Sequence, residues 1–137
     1  MSWYLCTIAA TSKRNWELCL DSKTWGISTQ SGFASKDMAR EGDYLLFWLA
    51  KIGFVGFAEV AADTRPPVSS GEVPWLGGAT KYGLVVPLKN INQFNPPIKL
   101  NFEGRTQEKT KLDQYMFQRG YMPIPDEAAN SVVALQS

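Results

Sequence analysis

The chain has 137 residues, 45% of them hydrophobic and 20% charged, which is the size and balance of one soluble globular domain. Fourteen basic against thirteen acidic side chains leave a net charge of +1, so no overall electrostatic signature of nucleic-acid binding exists, and no apolar run is long enough for a transmembrane helix. Histidine is absent, which excludes Ser-His and Cys-His nucleophiles, histidine general bases and nearly all catalytic zinc sites.

Trp3 to Ala10 is aromatic and β-branched and is closed by Thr11-Ser12, which predicts a first strand. No basic stretch precedes it, so the N-terminus is read as this strand and not as a secretory leader. Thr11 or Ser12 is placed to cap a short helix over about residues 15–20, on which Trp16, Cys19 and Leu20 share a face. Thr24 to Ile27 reads as a short extended piece. Ser35 to Met38 begins a second short helix that stops before Gly42. Tyr44 to Leu49 is apolar throughout, predicting a central strand covered on both faces. Phe54 to Ala61 follows across a connection short enough for a hairpin, and Gly53 and Gly56 point to a bulge or a close backbone approach.

After Asp63 come 18 residues rich in Pro, Ser and Gly, a length that marks a functional or disordered loop. Tyr82 to Leu88 is a further strand. The stretch after Asn90, with Pro96-Pro97, reads as an irregular crossing into Ile98 to Phe102, and Thr106 to Gln118 as helical. Pro125 at a first helical position opens a last helix to about Leu135. Together these elements predict a single β-rich α+β domain over residues 1–137: a small closed or nearly closed β-barrel with peripheral short helices.

Cys6 and Cys19 have no metal spacing and sit in apolar surroundings, as buried reduced thiols do; a cytoplasmic location follows. Charge is uneven along the chain. Residues 81–119 hold seven basic and three acidic side chains, an excess that suits either a phosphate-facing patch or a solvated surface. Of five tryptophans, Trp3, Trp16 and Trp48 fall on strand or helix faces that point to the core. Trp25 and Trp75 differ, since each stands beside turn residues. Two such aromatics flanking one cavity would stack a planar base, worth roughly 1–3 kcal/mol. Asp43, in a Gly-Asp pair before a strand, is a turn residue. Glu59, alternating with apolar neighbours, belongs at a barrel mouth or in solvent. Gly77-Gly78 lacks the Lys-Ser/Thr of a phosphate loop.

An ordered set of short strings carries a family resemblance: Asn15-Trp16, Trp25-Gly26, Gly42 to Phe47, Phe54 to Val60, Trp75 to Gly78, Lys81-Tyr82, Val86 to Leu88, Gly104 to Glu108 and Ile124 to Ala129. The set resembles the EVE domain and its relative the YTH domain, both PUA-like barrels, over nearly the whole chain. The resemblance implies a non-catalytic reader that accepts a flipped modified base in an aromatic cage. Trp25 and Trp75 would be the cage, with Leu76 a further wall. Gly26 stands where a polar residue often follows the cage tryptophan, leaving only backbone groups to read a base edge. Asn15, Lys13 and Arg14 fall near a position that bonds base or backbone. Lys81 and Arg105 would meet phosphate, and Thr106 replaces the aspartate of the YTH segment.

The expectation is therefore a binding module without cofactor or metal. Its partner would be a nucleic acid carrying a methylated or hydroxymethylated base, with DNA favoured over RNA and no membrane involved. It would serve as the specificity domain beside a fused or partner nuclease or NTPase in a system that restricts or processes modified nucleic acid. Two alternatives stand beside it. One is a general RNA-binding PUA-like domain. The other is a small ASCH-like amidohydrolase, for which Lys51 and Glu59 are the only candidates.

Overall fold

The computed structural model describes residues 2–28, 38–99, 112, 116–117 and 120–135. Strand β1 (Trp3–Ile8) alternates its side chains, sending Trp3 and Leu5 to one face and Cys6 and Ile8 to the other. A single 3-10 turn at Ala10–Ser12 leads into α1 (Arg14–Ser22), which buries Trp16 and Cys19. Neither Thr11 nor Ser12 caps α1, because that turn takes both residues and leaves Lys13 at the N-cap without a side-chain bond. Strands β2 (Thr24–Ser28), β3 (Tyr44–Leu49) and β4 (Gly53–Val60) follow.

The helix expected from Ser35 begins outside the described residues. From Met38 to Glu41 the chain is not helical. Tertiary bonds claim its backbone instead: Ala39 N–H donates to the Tyr121 hydroxyl at 3.0 Å, and its carbonyl accepts from Thr64 Oγ1 at 2.8 Å. Asp43 has the expected turn role, its carboxylate accepting the Arg40 and Ser2 N–H groups at 2.9 Å each.

The long loop ends in a four-residue helix, α2 (Gly78–Lys81), and β5 (Tyr82–Ile98) then runs 17 residues without a break. It takes in the stretch around Pro96-Pro97 that reads as irregular in sequence. The prolines are accommodated because the β4–β5 register jumps from Gly56↔Gln93 to Phe54↔Ile98, so residues 94–97 bulge away from the ladder. Strand β6 (Tyr121–Ile124) has no sequence signal, since Pro123 interrupts it, yet Pro is tolerated on an outer strand. Helix α3 (Asp126–Val133) closes the fold, with Pro125 just ahead of it. The helix predicted over 106–118, apart from Leu112, Met116 and Phe117, lies outside the described residues, as does most of the strand predicted over 98–102.

The six strands form one mixed sheet in the order β2-β5-β4-β3-β1-β6, with β1 and β3 parallel. β5 makes the sheet curl. Its first half pairs with β2 from Tyr82 to Pro87, and its second half pairs with β4 from Leu88 onward. The result is a half-barrel of the expected β-rich α+β class. It stays open along one seam, for among the described residues β2 and β6 do not pair.

Both faces of the central strands are covered. Leu45 and Phe47 pack inside with Cys6, Trp16 and Cys19, while Leu46 packs outside with Trp3, Phe54 and the α3 residues Ala128, Ala129 and Val132. Each large side chain so buried contributes about 1.5–3 kcal/mol. Cys6 and Cys19 are free thiols in this interior, and burial pushes both pKa values up, that of Cys19 to about 12. Among the described residues no helix is long and apolar enough to cross a membrane, and no cluster of Cys, Asp or Glu could hold a metal ion.

Candidate functional site

The open seam holds a cavity of about 340 Å³. One wall comes from the end of β1 and the start of β6 (Thr7, Ile8, Tyr121), the other from β2 (Trp25 to Ser28). Trp75, Lys81 and Tyr82 close it from the loop side, and Asn15 from the start of α1.

Trp75 reaches this place because its loop folds back on the barrel. Arg65 exchanges N–H and C=O bonds with Val85, at 3.1 and 2.7 Å, and its guanidinium grips the Glu72 carboxylate with both terminal nitrogens. That carboxylate also accepts the Val68 N–H at 2.8 Å, and Thr24 Oγ1 donates to the Glu72 carbonyl at 3.0 Å. The hydrogen-bonded Arg65 guanidinium, then the Val68 N–H, hold the Glu72 carboxyl down at about 2. Trp75 thereby packs with Val73, Val85, Leu18 and Tyr82 at only 3% exposure, and its Nε1 donates to the Asn15 carbonyl at 3.3 Å.

Trp25 is 7% exposed and also borders the cavity. The two indoles do not stand parallel with one ring's thickness between them. Their centroids are 6.4 Å apart and their planes meet at 68°, so they form a corner. Tyr82 extends that corner, 5.2 Å from Trp75. Gly26 is the reason they meet so closely: a Cβ there would lie 2.7 Å from Trp75 Cζ3 and 2.8 Å from Tyr82 Cδ1. Trp25 Nε1 is buried and has no hydrogen-bond partner among the described residues.

The remaining sequence candidates separate. Asn15 borders the cavity through α1, and Lys13 and Arg14 lie exposed just before it. Lys81 lines the mouth, its Nζ 5.4 Å over the Tyr82 ring. Leu76 is 92% exposed and does not border the cavity. Arg105 lies outside the described residues. Lys51 and Glu59 are not brought together at the cavity: Lys51 is exposed in the β3–β4 turn, and Glu59 pairs with Lys89 at 3.0 Å. Sequence reasoning missed Tyr82 and Tyr121 as cavity residues. The Lys81-Tyr82 pair stood in plain view, but nothing local says that a strand's first ring turns toward a seam.

The sequence matches no protein-family model and no curated protein. Solved structures do match the fold. A hypothetical protein from Leishmania major aligns at TM-score 0.67, over 99% of this chain and 94% of its own, with 15% identity. A Pseudomonas putida protein aligns at 0.62 over 99% and 100%, with 17% identity. The YTH domain of Zygosaccharomyces rouxii MRB1, solved in complex with N6-methyladenosine RNA, aligns at 0.64 over 98% and 83%, with 15% identity. Likeness at such identities speaks for architecture alone, and the architecture is that of a YTH-like domain.

Proposed function

We propose that this protein binds a nucleic acid through one modified base, methylated or hydroxymethylated, swung out into the seam cavity. The observation that carries this is the pairing of a cavity of about 340 Å³ with the Trp25–Trp75 corner beside it. That volume falls within the range of small-ligand sites, about 300–1,000 Å³. A base would lie flat on one indole with its methyl group against the face of the other, a desolvated contact worth roughly 1–3 kcal/mol. Extruding the base costs a few kcal/mol, which stacking at about 1–3 kcal/mol and hydrogen bonds to Asn15 and the Gly26 backbone would offset. Lys81, Lys13 and Arg14 would take the flanking phosphates, with Arg105 as a further contact.

The reading is non-catalytic: the module selects, and a nuclease or NTPase, fused or separate, acts in the cytoplasm. The sequence favours DNA, while the N6-methyladenosine RNA in the Z. rouxii structure supports RNA, so both belong in the test. Fluorescence anisotropy with DNA and RNA oligonucleotides carrying a methylated, hydroxymethylated or plain base is expected to show at least about tenfold preference for a modified one. Trp25→Ala is expected to cost about tenfold or more. Equal affinity for all oligonucleotides contradicts the reading. Steep salt dependence with tolerance of Trp25→Ala would indicate shape-and-phosphate binding of RNA instead.

A further inference from the structure

Leu76 combines features that the cavity leaves unused. At 92% exposure it is the most exposed large apolar side chain among the described residues. An exposed leucine is ordinary by itself. What sets this one apart is how it is held. Residues 75–78 form a tight turn closed by Gly78 N–H donating to the Trp75 carbonyl at 3.0 Å. Gly77 sits at φ 99°, ψ −18°, the geometry that a type II turn requires at its third residue. Leu76 therefore occupies the outward corner of a fixed turn.

Both flanks of that turn belong to the cavity. Trp75, the residue before Leu76, is a buried wall, and Lys81 is at the mouth. Gly77 packs so tightly on Lys81 that a Cβ there would lie 2.8 Å from Lys81 Cβ. An apolar tip is thus mounted rigidly between an aromatic wall and a cation at the opening. Proteins that open base stacks use an apolar side chain in this way, inserted where bases would otherwise touch.

We infer that Leu76 is a wedge: it fills the gap left in the base stack when the modified base enters the cavity, so the natural ligand is a base within a duplex. This rests on the base-binding reading above. It assigns Leu76 a place outside the cage, against the neighbouring base pairs.

The test uses three probes: the nucleoside N6-methyl-2′-deoxyadenosine, a duplex carrying it, and that duplex with 2-aminopurine as the adjacent base. Wild-type protein is expected to bind the duplex and to brighten 2-aminopurine as stacking is lost. Leu76→Ala is expected to weaken duplex binding about tenfold or more and abolish the brightening, with nucleoside affinity unchanged. Leu76→Phe, which keeps an apolar wedge, is expected to restore both. If nucleoside and duplex affinities fall together, Leu76 is a cage wall and the inference fails. If neither falls, Leu76 is only surface and the inference fails equally. The same three probes are made with each methylated and hydroxymethylated base of the anisotropy series, and absence of nucleoside and duplex binding by the wild type across that whole series overturns the base-binding reading itself, and the wedge with it.

Discussion

Gly26 shows what a single missing side chain does. It lets Trp75 and Tyr82 lie directly on the β2 backbone, with no room for a Cβ. Gly26→Ala is expected to force both rings outward and to cost about 1–3 kcal/mol, read by urea denaturation. The two indoles differ in a way that a matched pair of variants would expose. Trp75 Nε1 has the Asn15 carbonyl, whereas Trp25 Nε1 is buried without a partner among the described residues. A buried polar group left unpaired costs about 1–3 kcal/mol. Replacing each by Phe removes the same atoms, so Trp25→Phe is expected to be less destabilising than Trp75→Phe by about 1–2 kcal/mol in the same assay. The sequence singles out both tryptophans by their turn-rich neighbours. Their angle was not legible there, because it is set by a glycine contact 49 residues away from Trp75 in the chain.

The loop between β4 and β5 is an element without regular structure that nonetheless has a fixed shape. Its composition suggests a functional or disordered segment; the Arg65–Glu72 clamp and the Arg65–Val85 bridge hold it against the barrel in a defined fold. The Glu72 carboxyl is held at about 2, below its ordinary value of 4.5, so the clamp favours the folded state fully above about pH 4.5. That advantage is lost as pH falls from about 4.5 toward about 2. Wild type is expected to exceed Glu72→Gln in stability at pH 6, with the gap closing over that window in parallel acid titrations. A gap that stays constant with pH contradicts the clamp.

Strands β1 to β4 were readable because their apolar patterns are local, and α1 because Trp16 and Cys19 recur at helical spacing. The far half of β5 and all of β6 were not. Pro96-Pro97 and Pro123 argue against strands locally, and only a bulged register and an outer sheet position make them acceptable.

On the scale of the whole molecule, the proposed site lies where the sheet fails to close. β5 bends the sheet far enough to bring β2 opposite β1 and β6, and the unpaired seam becomes the cavity. The sequence foretold a closed or nearly closed barrel, yet the seam's position depends on β6, whose strand character it concealed. A net charge of +1, with Lys81 at the opening and Lys13 and Arg14 exposed just before the cavity residue Asn15, suits the proposed recognition by stacking more than recognition by charge. Neutralising about three phosphates gives a slope of roughly −3 in log affinity against log salt for a duplex ligand, measurable by anisotropy. The most direct measurement is an NMR titration of the indole N–H signals with a methylated nucleoside and its unmethylated counterpart. The expected result is that the methylated compound shifts Trp25 and Trp75, leaves Trp3 and Trp48 on the opposite face of the sheet in place, and that the plain nucleoside does neither at the same concentration. Shifts confined to Trp3 and Trp48, or identical responses to both nucleosides, would contradict a modified base held in the seam.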